Sequence, residues 1–156
     1  MTQQVREARA EDWPGVARLL AELGRPAPSP GEEEAFRDVF VAYLGRNDAI
    51  ALVAVEDDEI VGFLDLEFRR RINFIAEQAW IPDLVVTERR RSAGVGRALL
   101  SEAERIARER GCWGMSLESA TWRERAHAFY IREGWSDTGK AFNKLLGAIT
   151  WPPAPR

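Results

Sequence analysis

Between Ala79 and Leu100 the chain reads AWIPDLVVTERRRSAGVGRALL: an apolar, β-type stretch, a short arginine-rich turn, and the start of an amphipathic helix. No other segment limits the fold as much, because a strand that runs straight into a helix requires a sheet covered by helices. The turn carries Arg91, Gly94 and Gly96 in the spacing R-x-x-G-x-G. A helix N-terminus offers N–H groups without intrahelical acceptors and a positive dipole end, and glycines let a bulky anion reach the backbone. Such a turn suits phosphate. Other phosphate motifs fit badly: G-x-x-x-x-G-K-[ST] is absent, and Leu99 stands where a dinucleotide fingerprint needs a small residue. On the motif alone, a tight connection with a solvated arginine run remains an equal alternative.

The pattern on either side gives the rest of the architecture. Val5 to Arg9 reads as a strand, and Glu11 to Leu23 as a helix opened by Asp12 and Pro14 and closed by Gly24. After a Pro-rich loop, Phe36, Val39, Phe40, Tyr43 and Leu44 recur at helical spacing. Ala49 to Glu56 and Glu59 to Phe68 form a hairpin about Asp57 and Asp58. Alternation in its second strand puts Val61, Phe63, Asp65 and Glu67 on one face and Ile60, Leu64, Leu66 and Phe68 on the other. Arg69 to Gln78 reads as a loop and Ala79 to Thr87 as a strand, in which Pro82 demands a bulge or a missing partner. Val95 to Arg110 is a helix, Cys112 to Ala120 a strand, Glu124 to Glu133 a helix ended by Gly134, and Trp135 to Leu146 a final hairpin. The expected fold is α/β of the α+β type: one mixed sheet of about seven strands with helices on both faces. At 156 residues this is a single domain, with 151–156 a loosely held tail.

Composition excludes several classes. A net charge of −3 argues against a protein that binds nucleic acid through its overall field. That reading would need Arg69–Arg71 and Arg89–Arg91 to share one surface with stacking aromatics. One cysteine and one histidine leave too few soft ligands for zinc, so no metal is expected. No apolar run reaches membrane-spanning length and no signal-peptide pattern follows Met1, so the expected location is cytoplasmic, without a membrane partner.

A second segment, AHAFYIREGW from Ala126 to Trp135, follows the phosphate turn. Together the two motifs resemble the GNAT N-acetyltransferase superfamily, whose signatures are an apolar strand leading through R-x-x-G-x-G into a helix, and A-x-x-F-Y-x-x-x-G-F/Y downstream. Order, separation and element sequence agree over nearly the whole chain. Three positions depart from the pattern: Ser92 where many members have glycine, Arg123 where many have asparagine, and Trp135 in place of Phe or Tyr. The resemblance implies an enzyme that moves the acetyl group of acetyl-CoA to a primary amine by direct attack in a ternary complex. It also implies a sheet splayed between the strands Ala79–Thr87 and Cys112–Ala120, with the pantetheine arm in the opening beside Leu84, Val85 and Val86. Pyrophosphate would lie on the turn formed by Arg91, Ser92, Ala93, Gly94, Val95, Gly96 and Arg97.

By the same resemblance Tyr130 faces the cofactor's sulfur and protonates the departing thiolate, although periodicity alone reads it as a core aromatic. An N–H near Val85 or Val86 would serve the oxyanion. Among strand carboxylates Asp83 is the first candidate base and Glu67 the second, with Asp65 and Glu118 also weighed; burial in a sheet would make any of them more basic. The acceptor site would draw on Leu23–Tyr43 and Arg69–Trp80, where Glu32, Glu33, Glu34 and Glu77 would attract a cationic amine. A small-molecule amine and a protein or peptide amine both fit, and so does a homodimer. The competing reading is a non-catalytic acetyl-CoA-binding regulatory module. His127 and Cys112 are read as structural.

Overall fold

The computed structural model describes residues 3–147, so the tail 151–156 lies outside the described residues. The chain divides into two compact units, Met1–Ser116 and Leu117–Arg156. A mixed sheet has the order β1 (Gln3–Glu7), β2 (Ala49–Glu56), β3 (Glu59–Arg69), β4 (Gln78–Ile81) and β6 (Gly114–Leu117), with β5 (Leu84–Val86) paired to β3. Helices α1 (Trp13–Glu22), α2 (Glu33–Leu44) and α3 (Val95–Glu109) accompany it in the first unit, and α4 (Glu124–Arg132) belongs to the second.

The β2–β3 hairpin anchors the sheet. Asp57 and Asp58 take φ values of 50° and 61°, the left-handed pair that a two-residue hairpin turn requires. A bulge at Val61 shifts the register, so that Ala54 faces Gly62 and Val55 faces Ile60. This corrects one expected face: Ile60 joins Phe63, not Leu64. Ile60, Phe63, Val53, Ala51 and Val85 pack with Val16 and Leu19 of α1 and Phe40 of α2. The opposite face carries Gly62, where a Cβ would meet Val95 and Leu99 of α3 at 2.8 and 2.9 Å. Helix α3 buries Val95, Leu99, Leu100, Ala103 and Ala107 and turns outward a ladder of Glu102–Arg105, Glu104–Arg108 and Arg105–Glu109 pairs. Burying each leucine contributes roughly 1.5–3 kcal/mol, so these two faces hold the sheet between its helices.

Asp12 does not cap α1 with its side chain. Its carboxylate instead takes both Arg6 guanidinium nitrogens, at 2.8 and 2.9 Å, and the Arg9 N–H at 2.7 Å. The strand expected over Ala79–Thr87 is two strands, broken at Pro82 and Asp83 as the missing proline donor requires. The sheet has six strands among the described residues, not about seven, because the final hairpin over Trp135–Leu146 does not form. From Ser136 to Gly147 every residue is exposed, and a strand that buries neither face has nothing to offset its ordering.

Candidate functional site

Register decides which backbone groups of β5 are available. Thr87 N–H donates to Val61 O at 2.9 Å and Asp65 N–H to Asp83 O at 3.2 Å, so residues 83, 85 and 87 direct their backbone groups to β3. By alternation Leu84 and Val86 direct theirs to the other edge, where β5 has no strand partner among the described residues. Val85 therefore offers no edge group; its side chain is buried against α1.

The strand leads through Thr87 and a 3-10 turn at Glu88–Arg90 into the turn before α3. Glu22 of α1 clamps this passage, accepting from Thr87 Oγ1 at 3.1 Å and from the Glu88 N–H at 3.3 Å. Ser92 and Gly94 adopt φ values of 67° and 85°. Both lie in the left-handed region, which explains why glycine is favoured at either position. A Cβ on Gly94 would meet nothing within 4 Å, so the surface over the turn is open. Val95 and Gly96 stand in the first turn of α3, where N–H groups have no intrahelical acceptor. Of the neighbouring arginines, Arg89 pairs with Glu59 and Arg90 with Glu56, while Arg91 and Arg97 are exposed at the turn. The residues thus fit a phosphate group by shape and by donor chemistry.

Beside β5, on the α1/α2 face of the sheet, the carboxylates separate by environment. Asp65 is 9% exposed and accepts the Asp83 N–H at 2.6 Å. Burial pushes its carboxyl well above the usual carboxylate range, and the nearby Asp83 charge adds to the rise. Asp83 itself is held by Arg25, whose Nε lies 2.5 Å from Oδ1 and whose second contact goes to Pro82 O at 2.9 Å. Glu67 pairs with Arg46 at 3.2 Å. Tyr43 of α2 stands over this group and donates to Leu66 O at 3.4 Å; burial, then the charges of Asp65 and Glu67, raise its phenol and keep it protonated.

Sequence reasoning ranked Asp83 and Glu67 ahead of Asp65, yet both carry an arginine and Asp65 does not. It missed Arg25, which sits in a Pro-rich loop where no periodicity marks it. Three of the four acidic residues expected to draw an amine are engaged within the fold: Glu32 and Glu33 accept loop N–H groups of Ser29 and Gly31, and Glu77 pairs with Arg110. Glu118 lies just beyond β6. Burial raises the Cys112 thiol, which suits a structural residue.

In the second unit, the spacing of Tyr130, Gly134 and Trp135 has a local cause. Gly134, at φ 89°, ends α4; its N–H donates to Ile131 O at 3.1 Å and the Trp135 N–H to Tyr130 O at 3.0 Å. This is a Schellman motif, and its usual apolar contact is the Trp135 ring 6.0 Å from that of Tyr130. The motif fixes the half-buried Tyr130 at the end of the helix.

A family model described as "Acetyltransferase (GNAT) family" matches residues 4–135. The chain is 33% identical over 146 residues to the aminoalkylphosphonate N-acetyltransferase of Salmonella typhimurium, covering 92% of this chain and 91% of that protein. Among solved structures, a transcriptional regulator from Bacillus halodurans superposes with a TM-score of 0.84 at 22% identity, covering 93% of this chain and all of the other. The glucosamine-6-phosphate N-acetyltransferase of Arabidopsis thaliana superposes with a TM-score of 0.80 at 20% identity over 94% of this chain and 100% of the other. These two likenesses concern the fold.

Proposed function

The chain belongs to the acetyltransferase (GNAT) family, and from that premise we propose that it moves the acetyl group of acetyl-CoA to the primary amine of a small molecule within one ternary complex. The observation that carries this reading is the open edge of β5 running directly into the left-handed turn at Ser92 and Gly94. Leu84 and Val86 would pair with the pantetheine amides as a missing strand would, and the N-terminus of α3 would take the pyrophosphate, with Arg91 and Arg97 adding charge. When bound, acetyl-CoA supplies the activated acetyl thioester.

The chain's own residues manage charge and protons. The Val86 N–H, at the free edge, is the donor for oxyanion charge. Asp65, whose carboxyl burial makes more basic, takes the amine's proton in its ionised form with Asp83 beside it; Glu67 stands in reserve, tied to Arg46. Tyr130 gives a proton to the departing thiolate. The acceptor we favour is an amine that also bears an acid group, because the relative from Salmonella typhimurium, which is named for aminoalkylphosphonates, aligns over most of both chains. A panel of amines incubated with acetyl-CoA and monitored by free thiol tests the reading. Amine-dependent thiol release is expected, and cofactor binding with no release from any amine would leave only a binding module.

A further inference from the structure

Arg69 lies on β3 two positions beyond Glu67, so it shares the face of Asp65 and Glu67. Its guanidinium stacks 4.4 Å from the centre of the Trp80 ring, and Trp80 is the direct cross-strand partner of Glu67. One terminal nitrogen donates to Ser116 Oγ at 3.2 Å. Its Nε is buried with no hydrogen-bond partner, and no carboxylate pairs with it among the described residues. Other arginines near this end of the sheet differ: Arg25 has Asp83, Arg46 has Asp48 and Glu67, and Arg110 has Glu77. A cation held flat on an indole, with its desolvation unrecovered inside the chain, is arranged to meet an anion from outside.

The geometry points to an anion subsite on Arg69, Trp80 and Ser116 that holds the acid group, phosphonate or carboxylate, of an acceptor whose amine lies at Asp65 and Asp83. The two poles are four residues apart on one strand, about 13 Å of backbone, and the long arginine side chain shortens the gap to the span of a small amino acid. The amine end of this assignment rests on the acetyl-transfer reading; the anion end does not.

Calorimetry and steady-state acetylation with aminomethylphosphonate and with ethylamine, on the full chain saturated with coenzyme A or acetyl-CoA respectively, separate the two. Wild type is expected to bind and use the phosphonate in preference. Arg69→Gln is expected to cut that preference roughly ten- to a hundredfold through KM more than kcat. Arg69→Lys, which keeps the charge without the planar fork, recovers part of it. Should Arg69→Gln fail to fold, Ser116→Ala, which releases the guanidinium's anchor, is expected to raise KM for the phosphonate in the same direction. No preference in wild type, or equal losses for both amines in the variants, overturns the subsite. Arg69-dependent phosphonate binding without acetylation of either amine would uphold the subsite and remove the acetyl-transfer reading. Acetylation of ethylamine with no phosphonate binding would do the reverse.

Discussion

Two buried carboxyls, Asp65 and Asp12, give the fold opposite dependences on pH. Asp65 holds its proton more tightly folded than unfolded, so its contribution to stability is complete below the ordinary carboxylate pKa, about 4, and is lost as pH rises through its native titration. Asp12 behaves oppositely: Arg6 holds it below the usual range, and its contribution is lost as pH falls. Asp65→Asn can still accept the Asp83 N–H, and it removes the alkaline penalty. Its melting temperature is expected to fall less than that of wild type between mildly acidic and alkaline pH, while acetylation drops sharply; a wild-type slope in the variant would move the buried charge elsewhere. Tyr130 allows an equally clean test, because Tyr130→Phe keeps the ring that meets Trp135. If the hydroxyl is the acid, kcat falls by about a hundredfold or more with cofactor affinity intact. Unchanged kcat would remove Tyr130 from the catalytic residues and leave it a structural role.

At the level of elements, the start of α4 lacks a side-chain cap. Arg123 occupies the N-cap and makes no side-chain capping bond. Arg123→Asp supplies a carboxylate to the first-turn N–H groups and to the positive end of the helix, and thermal unfolding should show it about 0.5–1 kcal/mol more stable than Arg123→Ala. The elements that could be read from sequence are those whose periodicity and punctuation agree: β2 has the bounds its Val/Ile/Leu run and Asp-Asp turn suggest, and α3 lies between its glycines. The break at Pro82 was legible because a missing donor is a covalent fact. The bulge at Val61 was not, since an extra residue in one strand leaves no compositional trace while both faces are apolar. The last hairpin failed because alternation states only which side chains agree, not whether anything exists for them to cover. In the candidate site, the left-handed turn before α3 was readable from glycines, whereas the Arg25–Asp83 pair and the approach of Asp65 to Asp83 depend on contacts between distant segments.

For the molecule as a whole, the proposed cofactor site predicts a coupling between binding and stability. The open edge of β5 and the turn before α3 belong to the first unit, and the family model extends across both units. No helix among the described residues is long and apolar enough to cross a membrane. A cofactor that binds only the folded chain stabilises it by mass action, about 2.7 kcal/mol at a hundredfold excess over Kd. For a chain of this size that is a rise of roughly 5–10 °C in melting temperature. Coenzyme A should produce it in differential scanning fluorimetry, and no rise at millimolar concentration would refute cofactor binding at the turn.

The tight turn at Asp57 and Asp58 also sets an order in time. It brings eight pairs of residues of β2 and β3 together at the smallest possible loop cost, whereas β1, β5 and α1 must each close long stretches of chain to join them. The hairpin is therefore the expected nucleus, onto which the helices condense afterwards. Conservative truncations such as Val53→Ala should slow refolding, whereas Leu19→Ala in α1 should chiefly hasten unfolding.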